Sequence, residues 1–316
     1  MGAGARLPKN SVYRSVAGRR EYLAYYDKIS ERLPFPAQSR MVQTRFGATH
    51  LSLAGNPAGK PIIVLPGMSI AGLMMIEFFA LLARDHLLIA PDLIGQPGRS
   101  EDRPMPIADH AYGRWLAELL DALGIASADM ASGSFGSSIA LDLAAMAPER
   151  VGRMALVVPA GLTPRLPYLQ IFTGLFFSWL VYRQLPRRRH LHAISRPLCQ
   201  SLSENDLDYL DIVIRQTAFW RHRPAGPFVA ADLRGYHHPV LLVLAGRDIM
   251  FPHRPTRANA HQALRIAEEV VLPDSAHMPA PHDMASIHQQ IARFMAGETG
   301  TGDPAPGRGR TAAAIG

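Results

Sequence analysis

Residues 131–137 read Ala131-Ser132-Gly133-Ser134-Phe135-Gly136-Ser137, and the setting of this stretch decides the fold. A short apolar run over 129–132 predicts a buried strand, and a helix follows directly over 135–146, ended by Pro148. A strand that turns this sharply into a helix lifts the apical side chain, here Ser134, above the sheet edge. The backbone there is strained, so small residues are needed two positions before and after, and Ser132 and Gly136 supply them. The start of the helix adds free N–H groups and a positive dipole end. Ser134 is therefore the candidate nucleophile.

The pattern around the elbow repeats it. Strands are predicted over 62–65, 87–90 and 154–158, with helices over about 70–84 and 109–123 between them. Upstream, 42–45 and 49–53 flank Phe46-Gly47-Ala48, which reads as a hairpin turn. Alternation then stops. Residues 161–236 carry helical patterns and several prolines with no convincing strand, after which strands return over 239–245 and 269–272 and a last helix over 283–295. The fold class expected is α/β, a mostly parallel central sheet with helices on both faces and an inserted helical lid. The organisation expected is an N-terminal helical segment over 1–40, a core made of 41–160 and 237–297, a lid over 161–236, and a disordered tail over 298–316.

Composition removes several function classes. With 48% hydrophobic and 19% charged residues over 316 positions, the chain is not disordered along most of its length. The single cysteine, Cys199, excludes an internal disulfide framework and a zinc site of several thiolates, and reads as a small buried hydrophobe in a helix. The net charge of +7 rests almost wholly on arginine, since lysine occurs only at 9, 28 and 60. Those arginines are scattered and no nucleic-acid-binding signature accompanies them, so a nucleic-acid partner is not expected. No segment resembles a secretory signal, and Arg6 stands where a myristoylation motif needs Ser or Thr. The longest apolar run, 168–182, falls short of the ~20 residues of a membrane span, which points to a cytoplasmic protein.

A serine hydroxyl needs a base, and a base needs an orienting group. Of thirteen histidines, His277 lies in Pro273-Asp274-Ser275-Ala276-His277-Met278-Pro279, directly after the last predicted strand. Asp248 lies in Gly246-Arg247-Asp248-Ile249-Met250-Phe251-Pro252, directly after the strand before it. Loops after the carboxyl ends of parallel strands converge on one edge, so Ser134, Asp248 and His277 can meet there. Asp232 and Asp274 are the rival acids, and His282 is the nearest rival base; His237 and His238 precede a strand, on the wrong edge. Asp92 reads as a turn-former that caps its loop. Leu65-Pro66-Gly67-Met68 follows the first parallel strand, and the backbone N–H groups of Met68 and Phe135 are the pair expected to meet a developing oxyanion.

These motifs make the chain resemble the α/β-hydrolase superfamily, in its lid-bearing serine esterase-like branch, over roughly residues 20–297. Thr44-Arg45-Phe46-Gly47, the glycine-rich Asp92-Leu93-Ile94-Gly95-Gln96-Pro97-Gly98-Arg99-Ser100 and Ala147-Pro148-Glu149-Arg150-Val151 match in register. Three positions depart from the pattern: Ser132 and Ser137 stand where glycine is usual, and Pro66 replaces a common histidine. The resemblance implies a Ser-His-Asp hydrolase of a carboxylic ester or related small acyl compound, with no metal and no organic cofactor. The same scaffold also serves thioesterases, C–C bond hydrolases and cyclising enzymes, or, less in keeping with an intact triad, non-catalytic binding proteins.

One run stands apart. Tyr168, Leu169, Ile171, Phe172, Leu175, Phe176, Phe177, Leu180 and Val181 are apolar all round the helix, and Arg183, Arg187, Arg188 and Arg189 follow at once. Packing within the lid is the first reading, and an acyl-binding wall with Phe172, Phe176 and Phe177 the second. Contact with an anionic membrane surface is the third. The oligomeric state is not fixed by the sequence.

Overall fold

A computed structural model describes residues 7–218 and 223–298; beyond Glu298 the expected tail lies outside the described residues. Helix α1 (Val16–Arg32) opens the chain, its first turn capped by the Ser15 hydroxyl, which accepts from the Gly18 amide at 2.9 Å. Strands β1 (Gln38–Thr44) and β2 (Gly47–Gly55) form the hairpin, with Thr44 opposite Gly47 and only Arg45 and Phe46 in the loop. β1 begins four residues before the expected start because Gln38, Ser39, Arg40 and Met41 are all exposed and show no apolar alternation.

The parallel body follows: β3 (Lys60–Leu65), α2 (Gly72–Phe78), β4 (His86–Pro91), α3 (Ala111–Ala122), β5 (Ala128–Gly133), α4 (Phe135–Met146) and β6 (Val151–Val157). The helix expected over 70–84 is divided, since Ala80–Arg84 continues from α2 as a separate 3₁₀ turn. Between β6 and the next strand lie α5 (Tyr168–Ile171), a π-helical turn (Phe172–Phe176), α6 (Phe177–Gln184), α7 (Arg188–Ser195) and α8 (Glu204–Gln216). The chain closes with β7 (Val240–Ala245), α9 (His253–Ala263), β8 (Ile266–Leu272) and α10 (Pro281–Ala296). Helix α9 has no counterpart among the expected elements. Its buried positions are Thr256, Asn259, Ala260 and Ala263, small or polar, so its helical period carries almost no hydrophobic signal.

The eight strands form one sheet in the order β1-β2-β4-β3-β5-β6-β7-β8, antiparallel at the first two pairings and parallel from β4 onward. Alternate side chains feed two apolar layers. Ile63, Leu65, Met130, Leu156 and Leu242 pack with Trp115, Leu116 and Ile139 of α3 and α4. Ile62, Val64, Ala131, Leu241 and Val243 pack with Ile76 of α2 and with Ile287, Ile291 and Phe294 of α10. Such strands are apolar throughout because both faces are covered.

The N-terminal helix is no appendage. Tyr22, Tyr26 and Ile29 of α1 share a core with Tyr209, Ile212 and Val213 of α8, and the Tyr22 and Tyr209 hydroxyls lie 2.9 Å apart. Cys199 is buried as expected, in the turn after α7 rather than in a helix, and burial pushes its thiol pKa up. Among the described residues no helix is long and apolar enough to cross a membrane.

Candidate active site

Strand β5 ends at Gly133 and α4 begins at Phe135, leaving Ser134 at φ 48° and ψ −116°. That conformation costs a non-glycine residue about 1–3 kcal/mol and persists only where neighbours enforce it. The Ser134 amide donates to the Val157 carbonyl at 2.9 Å, and its carbonyl accepts from Ala160 and Ser137 at 3.1 and 3.0 Å. Gly136 has no alternative: a Cβ there would lie 2.3 Å from the Leu65 carbonyl oxygen. Ser132 and Ser137, the two departures from glycine, are both buried with their hydroxyls 3.0 Å apart, so each satisfies the other.

His277 joins the serine to the acid. Its Nε2 lies 2.9 Å from Ser134 Oγ and its Nδ1 2.9 Å from Asp248 Oδ2. An ionised carboxylate only accepts, so Nδ1 carries the proton and Nε2 presents its lone pair to the serine hydroxyl. Asp248 Oδ1 accepts from the amides of Met250 and Phe251 at 2.7 and 3.1 Å, which fixes the carboxylate in one orientation. The Asp248 side chain is 1% exposed and that of His277 14%. The Phe251 ring meets the imidazole edge-on at 5.4 Å and shields it.

The other titratable neighbours are spoken for. Asp274 pairs with Arg247 at 2.6 Å, and Asp232 accepts from the Val229 amide at 2.9 Å. His282 is exposed beside Asp283, and His237 and His238 stand before β7, at the opposite end of the strand from Asp248.

The loop expected to carry an oxyanion donor runs beside Ser134: a Cβ on Gly67 would lie 3.7 Å from Ser134 Cβ. The Phe135 amide is in the first turn of α4, where helical N–H groups have no intrahelical acceptor. With Pro66 in place of histidine, the loop is held by other means. The Ser69 amide donates to Gln96 Oε1 at 2.6 Å, and the Ser69 carbonyl accepts from the Tyr209 hydroxyl at 2.6 Å. Gln96 sits inside a motif the sequence singles out, but Tyr209 of α8 carried no signal. Asp92 does more than cap its loop. Fully buried, it accepts from the Gly72 and Arg99 amides at 2.8 and 2.9 Å and faces His50 Nδ1 at 3.1 Å.

The helical insertion lies across the loops that carry Asp248 and His277. A Cβ on Gly174 would lie 3.3 Å from Ile249 Cδ1, next to Asp248. The Met278 amide, next to His277, donates to the Leu198 carbonyl at 2.7 Å. Phe172 and Phe176 stack at 4.5 Å and Phe177 meets both rings edge-on. Phe176 is partly buried beside Trp179, whereas Phe172 and Phe177 are exposed. Among the described residues, no three His, Cys, Asp or Glu side chains converge as metal ligands.

A family model described as the alpha/beta hydrolase fold matches residues 60–195. A carboxylesterase of Bacillus subtilis, nap, is 24% identical over 301 residues, covering 88% of this chain and 94% of the relative. The crystal structure of the carboxylesterase CesB (YbfK) from Bacillus subtilis superposes with a TM-score of 0.74 at 20% identity, covering 89% of this chain and 99% of that one. The 2-hydroxymuconate semialdehyde hydrolase of Pseudomonas sp. strain CF600 is 40% identical over 87 residues, 26% of this chain and 29% of the relative. The chain has the α/β-hydrolase fold, and its residues 60–195 match that family's model.

Proposed function

We propose that the protein is a serine hydrolase that cleaves a carboxylic ester of an uncharged or weakly polar acyl group. The observation that carries this reading is the unbroken relay from Ser134 Oγ through His277 to Asp248, each link 2.9 Å. Ser134 Oγ attacks the ester carbonyl carbon while His277 Nε2 takes its proton. The imidazolium that forms is stabilised by Asp248, which keeps its own negative charge. Negative charge on the former carbonyl oxygen is met by the N–H groups of Met68 and Phe135. Collapse of the tetrahedral intermediate breaks the ester C–O bond, and the alcohol leaves with the proton from His277. Water, deprotonated by the same imidazole, then releases the acid and restores Ser134.

The carboxylesterase relatives, similar along nearly their full length, support the ester as substrate. The insertion supplies the acyl-facing wall with Phe176, the partly buried ring of the aromatic trio, while Phe172 and Phe177 face solvent. The stretch shared with the muconate semialdehyde hydrolase favours C–C bond cleavage as the second reading, with the same residues in the same roles. A panel of p-nitrophenyl esters and of vinylogous 1,5-diketones, each assayed with wild-type protein and Ser134→Ala, separates the two. Ester turnover abolished by the substitution supports the proposal; serine-dependent turnover of the diketones alone replaces it with the second reading.

A further inference from the structure

The segment from α5 through α6 presents an apolar surface that the proposed catalytic cycle does not use. Leu169 is 76% exposed, Tyr168 69% and Phe177 60%, and Phe172, Leu180 and Leu185 are exposed as well. Single exposed leucines are ordinary on a protein surface, but a continuous stripe of large apolar side chains marks a contact site. The π-helical turn at Phe172–Phe176 helps to build that stripe. Phe177 follows Phe172 by five residues, a step that swings a side chain well round an α-helix but returns it close to the same face in a turn closed by i→i+5 hydrogen bonds. The two rings accordingly lie 6.3 Å apart, both open to solvent.

Charge selects the partner. Residues 161–200 contain six arginines and no aspartate or glutamate. Arg188 is neutralised by Asp208 and Glu204 of α8. Among the described residues no carboxylate pairs with Arg183, Arg187 or Arg189, and Arg183 lies over the Trp179 ring at 5.1 Å. Exposed aromatic and aliphatic side chains flanked by unneutralised arginines suit the boundary between acyl chains and anionic headgroups.

We propose that this face of the insertion docks on an anionic phospholipid bilayer, with Leu169, Phe172, Phe177 and Leu180 entering the acyl boundary and Arg183, Arg187 and Arg189 at the headgroups. The opposite side of the same segment rests on Ile249, next to Asp248, so docking sets the membrane one helix away from the acid loop. Binding is measured without turnover, so this inference stands or falls independently of the ester reading.

The test is co-sedimentation of the full-length protein with sucrose-loaded vesicles, of phosphatidylcholine alone or mixed with phosphatidylglycerol. The protein should pellet with the anionic vesicles and far less with the neutral ones, and added salt should weaken binding. Arg187→Ser with Arg189→Ser should weaken it by about fivefold per arginine. Leu169→Ser with Leu180→Ser should weaken it at every salt concentration. Both double variants should keep the wild-type circular dichroism spectrum and unfold cooperatively near the wild-type Tm, which shows that the fold is intact. Wild-type protein that ignores anionic vesicles, or variants that bind as tightly as wild type, would overturn the proposal. So would a dimer in light scattering, with no vesicle binding, that Leu169→Ser with Leu180→Ser reduces to a monomer; the stripe would then join two copies of this chain.

Discussion

The Arg247 guanidinium holds the Asp274 carboxylate at 2.6 Å at the protein surface, one residue away from the acid that faces His277. The two loops touch as closely as backbone allows. A Cβ on Gly246 would lie 2.5 Å from the Pro273 carbonyl oxygen, and the Arg247 amide donates to the Ser275 carbonyl at 2.9 Å. The chain therefore places two carboxylates near one imidazole and uses an arginine to hold one of them outward.

Asp248→Asn should fold with near-normal stability and lose about 10⁴-fold in kcat, because the amide favours the wrong imidazole tautomer. Asp274→Asn should change kcat little and cost under about 1 kcal/mol, as expected for an exposed ion pair. Steady-state kinetics on an acetyl ester, with thermal unfolding of both variants, checks the pair. A mild Asp248→Asn beside a crippling Asp274→Asn would reverse the assignment.

Gly136→Ala attacks the elbow without touching a reacting atom. The added methyl meets backbone of β3, which cannot yield like the end of a flexible side chain, so destabilisation of about 1–3 kcal/mol or more is expected. Activity should fall in the fraction that folds, because the strained Ser134 conformation depends on this close contact. Chemical denaturation and active-site titration measure the two effects separately.

The lid wall makes a prediction about chain length. Burying each added methylene of an acyl group against apolar side chains contributes ~0.8 kcal/mol, so kcat/KM should rise over the first few carbons. Phe176→Ala should flatten that rise more than it harms acetyl ester cleavage, whereas Phe172→Ala and Phe177→Ala should leave it unchanged. Phe176, the partly buried ring of the three, should also lower Tm when replaced. A Phe176→Ala protein that keeps the wild-type ratio of long to short esters would move the acyl wall elsewhere.

Acid should weaken the fold partly through His288. Its Nε2 is buried with no hydrogen-bond partner among the described residues, its ring packs edge-on against Phe78 at 5.0 Å, and burial lowers its pKa below the ordinary 6.5. The unfolded chain takes up a proton below pH 6.5 that the folded chain resists, so this contribution to stability is lost as pH falls below that value. His288→Leu should reduce the loss of Tm between neutral and mildly acidic buffer. An identical pH dependence in wild type and variant would contradict this.

The elbow and the parallel strands were legible because strands buried on both faces read as unbroken apolar runs, and each site residue sits in the loop that follows one. That Asp248 and His277 converge with Ser134 was legible from position alone. Other features left weaker traces. Helix α9 buries a threonine, an asparagine and two alanines, so no apolar period announces it. Tyr209 reaches Ser69, in the loop after β3, through tertiary packing of α8, which local spacing does not encode. In the run over 168–185 apolar composition suggested packing first, and only the three-dimensional arrangement shows how much of it faces outward.

The central claim is that Ser134 is the nucleophile. The most direct measurement is reaction of the full-length protein with a fluorophosphonate, followed by proteolysis and mass mapping of the adduct. A single adduct on Ser134, lost in Ser134→Ala together with ester turnover reduced by about 10⁴–10⁶-fold, is the result the geometry predicts. An adduct on another residue, or undiminished turnover by a folded Ser134→Ala protein, would contradict it.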